Sequence, residues 1–174
     1  MNKRRGSAAA YCRYAAIIFA LFLTIHAFAQ DIPQFSPDGL EGIKAFRVKV
    51  EEIADTTLAE DGLTAERILK FLEFNLRGNG IGVADSAGVP AQATLKAAVK
   101  TQMNGDERVF VAALAVEQPV LYVRDKNLLG TAQSWNEITL GQSHEIQSAK
   151  LVEQAFAKLL DSFITAYFTA NPKN

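Results

Sequence analysis

Between Arg108 and Arg124 the chain reads RVFVAALAVEQPVLYVR, the most apolar run outside its N-terminal region and one rich in valine. In an extended chain, successive side chains point to opposite faces. Val109, Val111, Ala113 and Ala115 then share one side, and Phe110, Ala112, Leu114 and Val116 share the other. Both sides are apolar. That suits an interior strand covered twice, or a strand whose second face meets a partner. A helix is the rival reading, since alanine favours it and short apolar runs fit either form. Pro119 opposes a helix through the stretch, because it lacks an N–H and its ring crowds the preceding turn. The expectation is one long, bent strand, or two short ones, with the break at Gln118-Pro119.

The neighbouring segments have to cover this run. Gly42–Ile53 alternates Phe46, Val48 and Val50 against Arg47, Lys49 and Glu51, the pattern of a half-buried strand. Ala54–Leu63 reads as a polar loop. Thr64 is placed to cap a helix over Ala65–Arg77, with Ile68, Leu69, Leu72 and Leu76 as its apolar stripe. Gly78 and Gly80 sit where a helix commonly ends. Ile81–Val83 is long enough for a short strand, and Asp85–Pro90 is a turn-rich break. Ala93–Met103 alternates again, and Asn104-Gly105-Asp106 predicts a tight hairpin into the central run. Asp125–Gly130 reads as a loop. Thr131–Leu140 reads as a strand with Ala132, Ser134, Asn136 and Ile138 on one face and Trp135 on the other. The last helix spans roughly Glu145–Thr169, with Ser143 as cap. Its face of Ile146, Ala149, Val152, Phe156, Leu159, Phe163 and Tyr167 recurs at steps of three and four, and Asn171-Pro172 stops it.

Amphipathic helices need a partner surface in water, and the sheet supplies it. The predicted fold is therefore α+β: a two-layer sandwich with two helices on one face of a mostly antiparallel sheet of four or five strands, in the order β-α-(β)-β-β-β-α.

At the N-terminus, Lys3, Arg4, Arg5 and Arg13 precede an apolar run from Ala15 to Ala29 that ends in Ala27-Phe28-Ala29. Charge, core length and exit site together read as a secretory signal peptide over residues 1–29. An uncleaved anchor is the alternative, but the run is shorter than the ~20 residues a spanning helix needs. With cleavage, no stable membrane span remains. Residues 30–41 form an irregular lead-in with two prolines and a glycine, and residues 42–171 form one domain. Cleavage also takes the net charge from −1 to −5, since those four basic residues leave and no acidic one does. A mildly acidic domain is a poor candidate for nucleic acid. The single cysteine, Cys12, lies upstream of the apolar run. The mature chain then has no disulfide, and the lipid-bearing cysteine of a lipoprotein is missing.

Candidate chemistry is sparse. His144 stands beside Ser143, yet adjacent residues seldom aim at each other and no nucleophile-elbow motif is present. Gly78-Asn79-Gly80-Ile81-Gly82 follows a helix, whereas a dinucleotide fingerprint precedes one. Glu51, Glu52 and Asp55, with Glu60 and Asp61, cluster around one loop and are the best metal candidates, although calcium-loop spacing is absent. A solvated loop explains them as well. Tyr122 and Trp135 are candidates for a partner surface, with core packing as the alternative. Lys96, Lys100, Arg108 and Arg124 are expected on a solvated sheet face. No cofactor site is recognisable.

VKVEEIADTTLAEDGLTAERILKFLEFNLRGNGIGV resembles a stretch of small uncharacterised secreted bacterial α/β proteins, as do VEQPVLYVRD, the Trp135 strand and DSFITAYFTANP. The shared motifs are structural, so the resemblance carries over no catalytic residue. The order of elements also resembles periplasmic envelope-assembly modules, such as the lipopolysaccharide-assembly lipoprotein and the TolB N-terminal domain. Fold likeness does not itself imply function. Together these readings lead us to expect a non-catalytic periplasmic binding or adaptor module whose partner is an envelope protein. The alternative is a small-ligand or metal-dependent binder or enzyme using the acidic loop.

Overall fold

A computed structural model describes residues 37–84, 91–104, 107–122, 124–144 and 148–172. The expected signal segment, the Asp85–Pro90 turn, the Gly105-Asp106 turn and Ile146 lie outside the described residues. The side chain of His144 does too.

The order is β1 (Ala45–Val50), α1 (Thr56–Glu60), α2 (Ala65–Gly78), β2 (Gly82–Val83), β3 (Ala93–Asn104), β4 (Glu107–Tyr122), β5 (Asp125–His144) and α3 (Ser148–Ala170). The five strands form one open sheet in the order β2-β1-β3-β4-β5. β3, β4 and β5 are antiparallel neighbours, whereas β1 runs parallel to both β2 and β3. The helices lie on one side, so the expected α+β two-layer architecture is the observed one. The central run is a strand in the interior of the sheet.

α2 forms where the sequence places it. The Thr64 hydroxyl accepts from the Arg67 N–H at 3.1 Å, satisfying one of the otherwise unpaired first-turn donors. Its end is a Schellman motif: the Ile81 N–H reaches the Leu76 carbonyl at 2.9 Å and the Gly80 N–H reaches Arg77 at 3.0 Å. Gly80 takes the left-handed conformation this requires, with φ of 77°. The polar stretch expected to be a loop contains the short helix α1. Asp55 caps it by accepting from the Thr57 N–H at 3.1 Å, and Leu58 is fully buried under it.

α3 lies over β4 and β5. Val152, Phe156, Leu159, Phe163 and Tyr167 are buried against the sheet, as their spacing predicts. Phe163 is the hub: its ring stands edge-on to Phe46 at 5.4 Å and to Trp135 at 5.3 Å. Burying a side chain of this size stabilises the fold by about 1.5–3 kcal/mol. The Tyr167 hydroxyl donates to the Ile43 carbonyl at 2.9 Å. Past the helix, the Asn171 amide group donates to the Leu40 carbonyl at 2.9 Å and accepts from the Gly42 N–H at 2.8 Å. Leu40 is wholly buried, so the described end of the lead-in is part of the body.

Four local expectations are corrected. β4 is one long strand through Pro119, the first of the two forms expected, but its irregularity lies between Val116 and Glu117 and not at Gln118-Pro119. Val116 pairs with Trp135 and Glu117 with Gln133, so Ser134 is an extra residue bulged out of β5. The bulge resets the alternation, which is why Ala132 does not share the face of Asn136 and Ile138. β5 also begins at Asp125, inside the stretch read as a loop: Gly130 and Leu129 pair with Val120 and Leu121, and Asp125 pairs with Tyr122 after a register shift. Ser143 is a strand residue and not the helix cap; its hydroxyl meets that of Ser148 at 2.7 Å in the interior.

Candidate docking face and a buried ion pair

The two faces of β4 have different fates. Arg108, Phe110, Ala112, Leu114 and Val116 are buried beneath the helical layer. Val109, Val111, Ala113 and Ala115 are only half-buried, and they lie on the open side of the sheet. Register extends this apolar ground sideways. Ala113 stands between Ala98 and Ile138, and Val111 stands beside Leu140. Ile138 and Leu140 are 58% and 75% exposed. Large side chains of this kind normally face a core, and a contiguous apolar patch with a polar rim marks an interaction surface.

The rim is present. At one end Lys96 Nζ meets Glu117 Oε1 at 2.8 Å. That bond holds the Lys96 ammonium above its ordinary value of 10.5. At the other end the Gln142 amide donates to Glu107. Along the β1–β3 side, Arg47, Lys49 and Lys100 are exposed, so this border is basic although the chain as a whole is not.

The carboxylates of the acidic cluster have different partners. Alternation along β1 carries Glu51 toward the open side, where its charge supports that of Lys96. Asp55 turns instead into the layer between sheet and helices. Its Oδ1 accepts from the N–H and hydroxyl of Thr57, the latter at 2.6 Å. Its Oδ2 accepts from Thr101 at 2.6 Å and lies 3.2 Å from Arg108 Nε. Three hydrogen bonds and one ion pair therefore engage this carboxylate. Burial pushes the Asp55 carboxyl up, but Thr101, Thr57 and the Arg108 charge together hold it below the ordinary 3.8. Glu51, Glu52 and Asp55 line one cleft of about 290 Å³ with Lys100 and Thr101, but no group able to hold a metal ion occurs among the described residues. A cleft of about 440 Å³ opens over this cluster, lined by Thr56, Thr57, Thr101, Gln102, Met103 and Arg108.

Arg108 is the residue that sequence reasoning misplaced. It is 2% exposed, not on a solvated face, and it also donates to the Thr57 hydroxyl. The signal was available: Arg108 has the same parity in β4 as Phe110 and Ala112. Tyr122 and Trp135 do not form a joint surface. Trp135 is 6% exposed and packs on Phe163. Tyr122 is exposed on the outer part of the β4–β5 hairpin, its ring over Gly130. That part, with Leu121, Leu128 and Leu129 also exposed, extends past Thr94, the last β3 residue paired with β4. No described helix is long and apolar enough to cross a membrane.

No family model matches the chain, and no curated protein matches it in sequence. Two solved structures are similar in the course of the chain. One is a hypothetical protein from Chlamydia trachomatis, 12% identical, with a TM-score of 0.43 over 73% of this chain and 98% of that one. The other is PelC from Paraburkholderia phytofirmans, solved as a dodecamer, 16% identical, with a TM-score of 0.41 over 78% of this chain and 90% of that one.

Proposed function

We propose that this chain is a non-catalytic binding or adaptor module, exported to the bacterial periplasm or secreted, and that an envelope protein docks on the open face of β3–β5. The observation that carries the reading is the apolar ground of Val111, Ala113, Ile138 and Leu140, left uncovered by the described helices and bordered by Lys49, Lys96 and Lys100. Such a face fits a partner with an apolar centre and an acidic border, since complementary rim charge steers encounter and fixes register. The signal-like N-terminus and the resemblance to small secreted bacterial proteins support the location.

The test places a photo-crosslinking side chain at Ala98 on the open face, and at Phe74 on α2 as a control, in cells of the source type. A discrete adduct is expected from position 98 and not from 74, and it should weaken when Lys49 and Lys100 are both changed to Glu. Equal adducts from both positions, or none, would remove the docking face from consideration.

The rival reading, a small-ligand or metal-dependent binder on the acidic loop, has the cleft beside Asp55 in its favour. Against it stand the three hydrogen bonds and the Arg108 cation already on that carboxylate. A divalent cation that raises the melting temperature of the wild type but not of Asp55→Ala would revive it.

A further inference from the structure

The two outer strands of the sheet are unlike. β2 is two residues long, and short edges are one way that native sheets avoid pairing with other chains. β5 is 20 residues long. From Asn127 to Ser143 it holds no proline and one charged residue, Glu137, whose carboxylate accepts from Ser162 on the helix side. Beyond the bulge at Ser134, the outward side chains are Asn136, Ile138, Leu140 and Gln142. Neither lysine nor proline guards this stretch, and its outer backbone groups have no ladder partner among the described residues.

We infer that β5 pairs with β5 of a second copy of this chain, antiparallel, about a two-fold axis at Thr139. The residue pattern selects this occupant. With the axis there, Ile138 faces Leu140 of the other copy, Asn136 faces Gln142, and Glu137 faces Gly141. Apolar meets apolar, amide meets amide, and the one charge in the segment meets no like charge. Moving the axis by one residue sets Asn136 against Leu140 or Ile138 against Gln142. An axis normal to the sheet keeps both helical layers on one side. α3 lies over β4 and β5, and strands are spaced about 4.8 Å apart, so the two α3 axes stand about 10 Å apart. That is close to the 8–10 Å of packed helices, so the copies fit without overlap. The pairing joins two open faces into one ten-stranded surface. It concerns the strand edge, and it holds whether or not any partner binds the face.

The test uses the full chain expressed in a bacterium, with Cys12→Ser so that each introduced thiol is the only one. Thr139→Cys sets two thiols across the axis, near enough for a disulfide under mild oxidation. Gln133→Cys has no copy of itself opposite. A band of twice the chain mass is expected from position 139 and little from 133. Sedimentation of the protein without introduced thiols should give a dimer. Ile138→Lys with Leu140→Lys should abolish both signals and leave the far-ultraviolet circular dichroism spectrum that of the folded chain, because both side chains are exposed. A monomer in sedimentation, equal bands from 139 and 133, or a band at 139 of another mass would each overturn the inference. The last of these would mean that another protein takes the edge.

Discussion

Replacing Arg108 with Met keeps roughly the length of the side chain and removes its charge. Arg108 is 2% exposed and the Asp55 side chain 18%. The substitution therefore leaves a mostly buried carboxylate without its cation. Breaking a buried pair in this way costs about 3–5 kcal/mol. The residual exposure of Asp55, and the Thr57 and Thr101 hydroxyls that remain on it, place the expected loss near about 3 kcal/mol at pH 7. With a urea m-value of about 1–3 kcal/mol per molar, the unfolding midpoint should fall by roughly 1–3 M. The sign with pH follows from linkage. In the wild type the Asp55 pKa is lowered on folding. Its contribution is thus fully present above the unfolded value of 3.8 and is lost as pH falls through the folded value. In Arg108→Met the carboxyl keeps its burial but loses the cation, so its folded pKa rises. The gap between the two proteins should be widest at neutral pH and close below the ordinary carboxylate range. Adding Asp55→Asn to Arg108→Met should recover part of the loss at pH 7. Urea titrations followed by far-ultraviolet circular dichroism at neutral and acid pH measure all of this. A neutral-pH loss under about 0.5 kcal/mol, the usual range for an exposed site, would refute the buried-pair reasoning.

Other substitutions separate covered from open positions. A Cβ at Gly141 would come within 2.2 Å of the Phe110 ring, which is buried, so Gly141→Ala should cost about 1–3 kcal/mol in the same titration. At Gly130 the Cβ would meet the Tyr122 ring at 2.6 Å, but that ring is exposed and can swing away; Gly130→Ala should stay within about 0.5 kcal/mol. Phe163→Ala, at the centre of the aromatic cluster, should cost about 3–5 kcal/mol and lower the melting temperature accordingly. Thr64→Ala should cost about 1 kcal/mol through loss of the α2 cap.

Much of this fold was legible because local rules decide it. The α3 stripe, the α2 cap and the two-sided apolar character of β4 follow from period and residue type alone. The open face was legible only in part: two apolar sides of β4 left undecided whether the second is covered within the chain. What escaped are features fixed by distant partners. The parallel pairing of β1 with β2 and β3 depends on a crossover that periodicity does not report. Ser134 bulges only because β4 and β5 slip against each other, and that slip reversed the faces assigned to Ala132 and Ser134. Leu129 and Gly130 became strand because β4 lies alongside them. Arg108 was lost to a rule of thumb that charges are solvated. Its compensating partners, Asp55 and Thr57, are far from it in sequence. Trp135 was drawn into a surface by its residue type, whereas its place opposite Val116 sends it to the core.

The division of β4 into a covered and an open face underlies the docking proposal, and thiol labelling measures it directly. In the Cys12→Ser background, Ala113→Cys and Leu114→Cys place the only thiol on opposite sides of one strand. In the purified native protein, position 113 should react with a maleimide much faster than position 114, which should react only on unfolding. Protection of both positions would show that the face is already covered, and equal reactivity would contradict the two-layer packing itself.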